Sequence, residues 1–400
     1  MSDRRSRLRV AALLAAGTLA LAACQSDDTP AGTAAQASGS DGSASPAVSP
    51  FELTSSIKRG ARDVAVDVPL ELTARGGTID SVQVASAAGK VRGELAGDGS
   101  SWKATDRFEP GETYTVTTRG SLSDGSQVER SMRFTTRDLT LDEQIYPSVA
   151  PLDDETVGVG MPVIVTFDLP VEDKASFEKH MEVTSTPAQP GSWHWISDTE
   201  ARWRPKSYWK PGTDVHVDID INSVDGGGGR YGQESRELDF EVGDAHIYKV
   251  DMASHQMKVF SNGKLLRTIP ITTGEQPAFT TRSGTKVIIE KFESKTMNSE
   301  TVGITGSDAY NIDNVQWAMR LTYSGEFIHA APWSVGSQGY ANVSHGCTGM
   351  STEAAGWLYA MSRRGDVVEY TGSDKPMTLE NGYGDWNAPF KQYAQGSALS

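Results

Sequence analysis

Two stretches about a hundred residues apart repeat one plan, and that constrains the fold more than any composition figure. Trp102 stands eight residues before Pro110-Gly111, and Trp203 stands eight before Pro211-Gly212. An alternating run follows each, Tyr114–Thr118 in one copy and Val215–Ile219 in the other. Each copy then closes on a second run with a central aromatic, Phe134 in Ser131–Thr136 and Phe240 in Glu237–Val242. Alternation with period two marks half-buried strands, and short strands parted by Gly, Asp and Ser imply a sandwich of two sheets. The second copy is longer by about the length of Gly226–Gly229, which is expected to be a hairpin tip. A phosphate cradle is excluded there, because no Lys-Ser/Thr and no helix follow. Trp193, Trp195, Trp203 and Trp209 are expected to pack in the core and between domains rather than to stack on sugars.

The repeat predicts two related sandwich domains, residues 51–137 and 138–243, of the Ig-like kind. The chain is 400 residues long, with a net charge of −15 and two cysteines. Such an acidic balance excludes nucleic acid as a partner, since phosphate binding needs a clustered basic face. Two cysteines exclude a disulfide-stapled scaffold and a Cys-rich zinc module. Arg4, Arg5, Arg7 and Arg9 precede an apolar run from Val10 to Ala23, too short for a membrane span and suited to export. It ends in Leu21-Ala22-Ala23-Cys24, which resembles the bacterial lipobox. The expectation is a signal peptide over 1–23, a lipidated Cys24, and a flexible linker over 24–50 poor in large apolar residues. The protein would then sit on the outer face of the cytoplasmic membrane. An ordinary signal peptide that leaves Cys24 free is the other reading.

Composition changes after Asp244. His246–Asp251 and Gln256–Ser261 are expected strands, with Asn262-Gly263 turning into Lys264–Thr272. The stretch from Gly274 to about Asn314 reads as a long irregular segment, a candidate lid or binding loop. Then come the apolar strand Phe327-Ile328-His329 and the segment Ser344-His345-Gly346-Cys347. Ser351 or Thr352 can cap a helix with Ala354, Trp357, Leu358 and Met361 on its inner face, ended by Gly365 before a strand over 366–370.

His329, His345 and Cys347 are the residues with chemistry to offer. A thiol is a weak nucleophile at neutral pH until an imidazole or a helix N-terminus favours the thiolate. Backbone N–H groups of Gly346 and Cys347 could cradle a developing oxyanion. Other readings are a disulfide to Cys24, a buried structural thiol, and a zinc site without an evident carboxylate partner.

The stretch His329-Ala-Ala-Pro-Trp-Ser…Ser344-His345-Gly346-Cys347 resembles the signature of the L,D-transpeptidase (YkuD-type) family, an upstream His followed by Ser/Thr-His-Gly-Cys. Supporting matches are Thr296-Met297-Asn298, Val315-Gln316-Trp317-Ala318, Tyr323-Ser324-Gly325 and Gly384-Asp385-Trp386. Two Ig-like domains behind a lipoprotein signal resemble the actinobacterial, mycobacterial-type members. The resemblance implies a mainly β chain: two Ig-like sandwiches, a catalytic domain over 244–372 with a short helix after the catalytic Cys, and a tail over 373–400 packed on that domain. It implies Cys347 as nucleophile, His329 as general base and His345 as the motif His that shapes the site. Tyr310, Met297, Trp333 and Ser344 are implied to line the substrate clefts.

Implied partners are donor and acceptor stem peptides of peptidoglycan, with carbapenem-type β-lactams as inhibitors and no metal or cofactor. The implied product is a 3→3 cross-link made through a thioester. Two positions depart from the family pattern: Gly349 stands where Asn is usual, and Ala330 where Ser is common. The missing Asn leaves open a hydrolase on the same fold. A catalytically silent wall-binding lipoprotein is the remaining alternative.

Overall fold

The structure is a computed structural model and describes residues 50–400. The expected signal peptide, Cys24 and nearly all of the expected linker lie outside the described residues.

The first copy of the repeat builds two four-stranded sheets. One orders Glu52–Ser55, Glu71–Arg75, Ser101–Ala104 and Gly93–Leu95; the other orders Lys90–Val91, Gly77–Ala85, Thr113–Leu122 and Gln127–Thr135. Buried Phe108, Tyr114 and Phe134 meet between them with ring centroids 4.9–5.4 Å apart. The second copy does the same with Pro147–Ala150, Val163–Phe167, Glu200–Pro205 and Gly191–Trp195 facing Glu155–Val157, Arg236–Val242, Asp214–Ile219 and Met181–Thr186. All four tryptophans singled out above are buried in its core. Gly228 and Gly229, both at positive φ, turn the hairpin between Asp225–Gly227 and Arg230–Gly232.

Each repeat tryptophan has a glycine against its ring. A Cβ at Gly93 would lie 2.1 Å from the Trp102 indole, and one at Gly191 would lie 2.2 Å from that of Trp203. The indole therefore lies flat over the backbone of the neighbouring strand, a pairing that sequence spacing alone does not reveal.

The domain over 244–372 has a five-stranded sheet ordered Lys264–Pro270, Gln256–Ser261, His246–Asp251, Val367–Thr371 and Gly284–Val287. A second sheet orders Glu290–Asn298, Asn311–Arg320, Phe327–Ala330 and Thr348–Met350, its last pair parallel. Met257, Ile271, Ile288, Leu321, Ile328 and Met350 fill the space between, and the helix Thr352–Met361 packs on the second sheet through Ala354, Ala355 and Leu358. The Ser351 hydroxyl caps the helix by accepting from the Ala354 N–H. Trp357 and Met361, expected on the inner face, are only partly buried; Ala355 takes that place.

The expected irregular stretch from Gly274 to Asn314 is a correction, since it contains the strands Gly284–Val287 and Glu290–Asn298. The second of these is largely solvated and buries only Met297, so its sequence carries no apolar alternation. The connecting lid shrinks to residues 299–310.

The first part of residues 373–400 packs on the domain over 244–372: the Met377 N–H donates to the Ser283 carbonyl (2.7 Å), and the Asn381 side chain accepts from the Ser324 N–H (2.9 Å). Asn387 also holds that domain, donating to the Thr285 carbonyl (2.7 Å) and accepting from the Thr285 N–H (2.8 Å). From Asp385 onward the tail also serves the second sandwich, where Arg202 and Arg204 are buried on one strand and need partners. Asp385 pairs with Arg202 at 3.2 Å, and the Arg204 guanidinium lies 4.7 Å from the Trp386 ring and 4.3 Å from that of Tyr393. The Trp386 indole N–H donates to the Gly160 carbonyl. Val287, Ile289 and Val367 of the domain over 244–372 and Tyr383 of the tail join the sandwich core.

Candidate active site

Thr348–Met350 pairs in parallel with Phe327–Ala330 so that His329 stands opposite Gly349. That register brings the His329 strand beside the residue that precedes the short strand, Cys347. The turn leading into it depends on Gly346, buried and at φ +122°, where an L side chain is strained. Ser344 closes the turn: its hydroxyl donates to the Cys347 carbonyl (2.6 Å) and accepts from the Gly346 N–H (3.2 Å). Buried Thr281 donates to the Gly346 carbonyl and accepts from the Gly274 N–H, both at 2.8 Å. Gly274 admits nothing larger, since a Cβ there would sit 1.8 Å from the Phe279 carbonyl oxygen.

His329 is buried, and its Nδ1–H donates to the Ala330 carbonyl at 2.8 Å. Its acceptor must therefore be Nε2, and burial pushes the imidazole below its ordinary value, which keeps the ring neutral. Trp333, more than half exposed, stacks beside it with centroids 5.9 Å apart.

Cys347 is 7% exposed and free of any disulfide. Its thiol points to the Gly325 carbonyl at 3.5 Å; among the described residues no hydrogen bond joins it to His329. Burial pushes the thiol up to about 12, with Glu326 adding to the rise, while the Phe327 N–H, Lys286 and Arg320 pull against it. The resting site is thus a neutral thiol and a neutral imidazole. The helix begins at Thr352, as expected, with the strand Thr348–Met350 between its N-terminus and the thiol. The Gly346 N–H, expected to serve an oxyanion, is held by Ser344 at rest, and must exchange that long bond to do so.

A cavity of about 310 Å³ opens on the sulfur, lined by Met297, Tyr310, His329, Trp333, Ser344 and His345 among others. A second, of about 240 Å³, shares Met297, Tyr310 and Cys347 and extends past Arg320, Tyr323 and Phe327. All the residues predicted for the site therefore come together. His345 stands exposed at the rim between Phe279 (4.3 Å) and Tyr310 (5.0 Å), centroid to centroid. Phe279, Thr281, Lys286 and Glu326 also shape the site, and no motif marks them. A larger cavity of about 510 Å³ lies between the two sandwiches, lined chiefly by charged and polar side chains such as Arg92, Arg107 and Asp220.

Fold and site together define a mainly β chain in which Ig-like sandwiches precede a domain that sets a buried thiol and a buried imidazole on one cavity. Residues 245–369 match the L,D-transpeptidase catalytic domain, and residues 61–225, spanning parts of both sandwiches, match the bacterial Ig domain. L,D-transpeptidase 2 of Mycobacterium tuberculosis is 35% identical over 354 residues, covering 87% of this chain and 85% of its own length. L,D-transpeptidase 5 of the same species is 32% identical over 347 residues, covering 85% of this chain and 75% of its own. A solved LD transpeptidase in complex with imipenem is 37% identical with a TM-score of 0.50, over 56% of this chain and 97% of that one. The chain belongs to the L,D-transpeptidase family.

Proposed function

We propose that this chain is a peptidoglycan L,D-transpeptidase that forms 3→3 cross-links through an acyl group carried on Cys347. The carrying observation is the pairing of a neutral, oriented imidazole with a buried thiol on one cavity. The thiol leaves Gly325, gives its proton to Nε2 of His329, and the sulfur attacks the L-centre–D-centre amide of a tetrapeptide stem. The C–N bond breaks, terminal D-Ala leaves with the proton from His329, and a thioester remains. A side-chain amine of a second stem attacks that thioester; its surplus proton returns through His329 and the thiol is restored. The two cavities meeting at the sulfur suit a donor and an acceptor, and burial keeps water from the thioester. His345 and Tyr310 wall the site, and Met297 and Trp333 line it. As an acyl transferase of this kind the chain is also a target for acylation by carbapenem-type β-lactams, in line with the imipenem complex of its relative.

Incubation with purified tetrapeptide muropeptides tests this: cross-linked dimers and free D-Ala are expected, both lost in Cys347→Ala. Tripeptide without dimers would identify a hydrolase, the reading that Gly349 in place of Asn favours. No product and no carbapenem mass adduct would leave only a wall-binding role. The order of basic region, apolar run and lipobox over 1–24 supports attachment to the outer face of the cytoplasmic membrane through Cys24. Cys24→Ala should release the protein from the membrane fraction; unchanged partition would overturn that anchor.

A further inference from the structure

A charged cluster lies buried behind the nucleophile and takes no part in the mechanism above. Lys286 has no exposed side-chain surface, and its Nζ stands 2.5 Å from Glu326 Oε2, a carboxylate that is itself 6% exposed. The other oxygen of Glu326 accepts from Arg282 twice, from the backbone N–H at 3.1 Å and from Nη1 at 2.9 Å. So two cations face one anion. Gly325 and Phe327, the neighbours of Glu326 in the chain, are the residues whose backbone touches the Cys347 sulfur.

On its other side the Lys286 ammonium sits 3.7 Å from the Tyr370 ring centroid. The Tyr370 hydroxyl bonds Thr348 Oγ1 at 2.6 Å, one residue beyond Cys347. Lys286 is thus braced against both segments that frame the sulfur. It is also poorly rewarded there, since no protein acceptor stands in line with its N–H groups despite the short contact to Glu326. Burial pushes Lys286 below its ordinary value, opposed chiefly by Glu326 and, among others, by Cys347. The remaining titratable and charged groups around the sulfur are Lys295, Tyr310, Arg320, Tyr323, His329, His345 and Tyr370.

We propose that Lys286 is a positioning residue for the nucleophile: its buried ammonium, pinned by Glu326 and Tyr370, is the fixed counter-charge of the Cys347 thiolate. Glu326 holds the cation in place but repels the same thiolate, and Lys286 offsets it. When the thiol ionises, the proton on Lys286 becomes easier to keep, so the two groups support each other. This inference deepens the transpeptidase reading and rests on Cys347 as its nucleophile.

Iodoacetamide alkylation of Cys347, followed by intact mass at a fixed mildly alkaline pH, is the test. It needs no peptidoglycan, so its result stands apart from whether dimers form. Lys286→Met is expected to slow alkylation about threefold to tenfold. The upper figure is a one-unit rise in the thiol, and the lower allows for the greater nucleophilicity of a more basic thiolate. Lys286→Arg should keep the wild-type rate. The double variant Lys286→Met with Glu326→Gln removes both charges and should recover most of the loss. A packing role predicts instead that the double variant is as slow as the single or slower. That outcome, or an unchanged rate in Lys286→Met, overturns the proposal. Should Lys286→Met fail to fold, Lys286→Gln takes its place with the same expectations.

Discussion

Asp385→Ala should free the tail of the chain. Asp385 is fully buried, its Oδ2 lies 3.2 Å from Arg202 Nη1, and its Oδ1 accepts from the Tyr393 hydroxyl at 3.0 Å. Burial works against the Arg202 charge, and Asp385 and Glu200 together outweigh it. Removing one partner of a buried pair typically costs about 3–5 kcal/mol, because the other charge is stranded. Arg202 keeps Glu200 and the Gly382 carbonyl (2.8 Å), which places the expected cost near the lower end, about 3 kcal/mol. If the tail opens as a unit, that raises the open population roughly a hundredfold. Native-state proteolysis within residues 373–400 reads this population directly when closing outpaces cleavage. Glu353→Ala, which removes an exposed partner of Arg267, should leave the cleavage rate unchanged. Pairing Arg202→Met with Asp385→Leu should restore much of the resistance, since an apolar pair of similar volume carries no stranded charge. An increase below about fivefold in Asp385→Ala, equivalent to roughly 1 kcal/mol, would refute the view that this ion pair holds the tail.

Two further predictions concern the site. Buried His329 holds its proton less tightly than the ordinary value of 6.5, so acylation by imipenem should lose rate only at a pH below 6.5. An acid limb at or above 6.5 would contradict this. The same shift makes His329 a stability liability in acid: the unfolded ring gains a proton as pH falls through 6.5, the folded one refuses it, and stability declines. Gly349→Asn would restore the family's usual residue but place a Cβ 2.8 Å from that of Ala331 and 3.1 Å from Thr272 Cγ2. We expect a loss of about 1–3 kcal/mol in thermal unfolding and no gain in dimer yield; a stable variant making more dimer would show that the pocket had room.

The repeat and the Ser344–Cys347 motif were legible because each depends on local chemistry. Alternation at Tyr114 and Val215, a Gly at φ +122°, and a base strand of apolar residues all leave marks within a few positions. Contacts across many residues leave none. Glycines 93 and 191 look like ordinary turn residues until the indoles of Trp102 and Trp203 lie over them. The strand Glu290–Asn298 hides because water, not core, meets most of its side chains, so alternation has nothing to record. Nothing near Arg202 and Arg204 in the sequence marks them as buried, whereas both lie under a tail that follows about 180 residues later. Lys286 and Glu326 likewise pass for solvated charges. The motif that carries Cys347 was written in the sequence; its electrostatic surroundings were not.

Those two buried charge clusters differ in a way that separates holding the fold from tuning the site. Around Arg202 the accounts close: Asp385, Glu200 and the Gly382 carbonyl take its N–H groups, and Tyr393 donates to the remaining carboxylate oxygen. Nothing there faces a cavity with a reactive group. Around Lys286 they do not close, because Nζ and Glu326 Oε2 approach to 2.5 Å without a well-directed hydrogen bond and the ammonium leans on an aromatic face instead. Selection for stability alone favours replacing such a pair by apolar side chains, which is often neutral or stabilising. A costly arrangement is retained more readily where local rules give way to function. Its position behind a thiol that burial has made hard to ionise names the function: the ammonium compensates part of the desolvation that shields the thioester. Burial of the sulfur and a buried cation behind it are then two halves of one requirement.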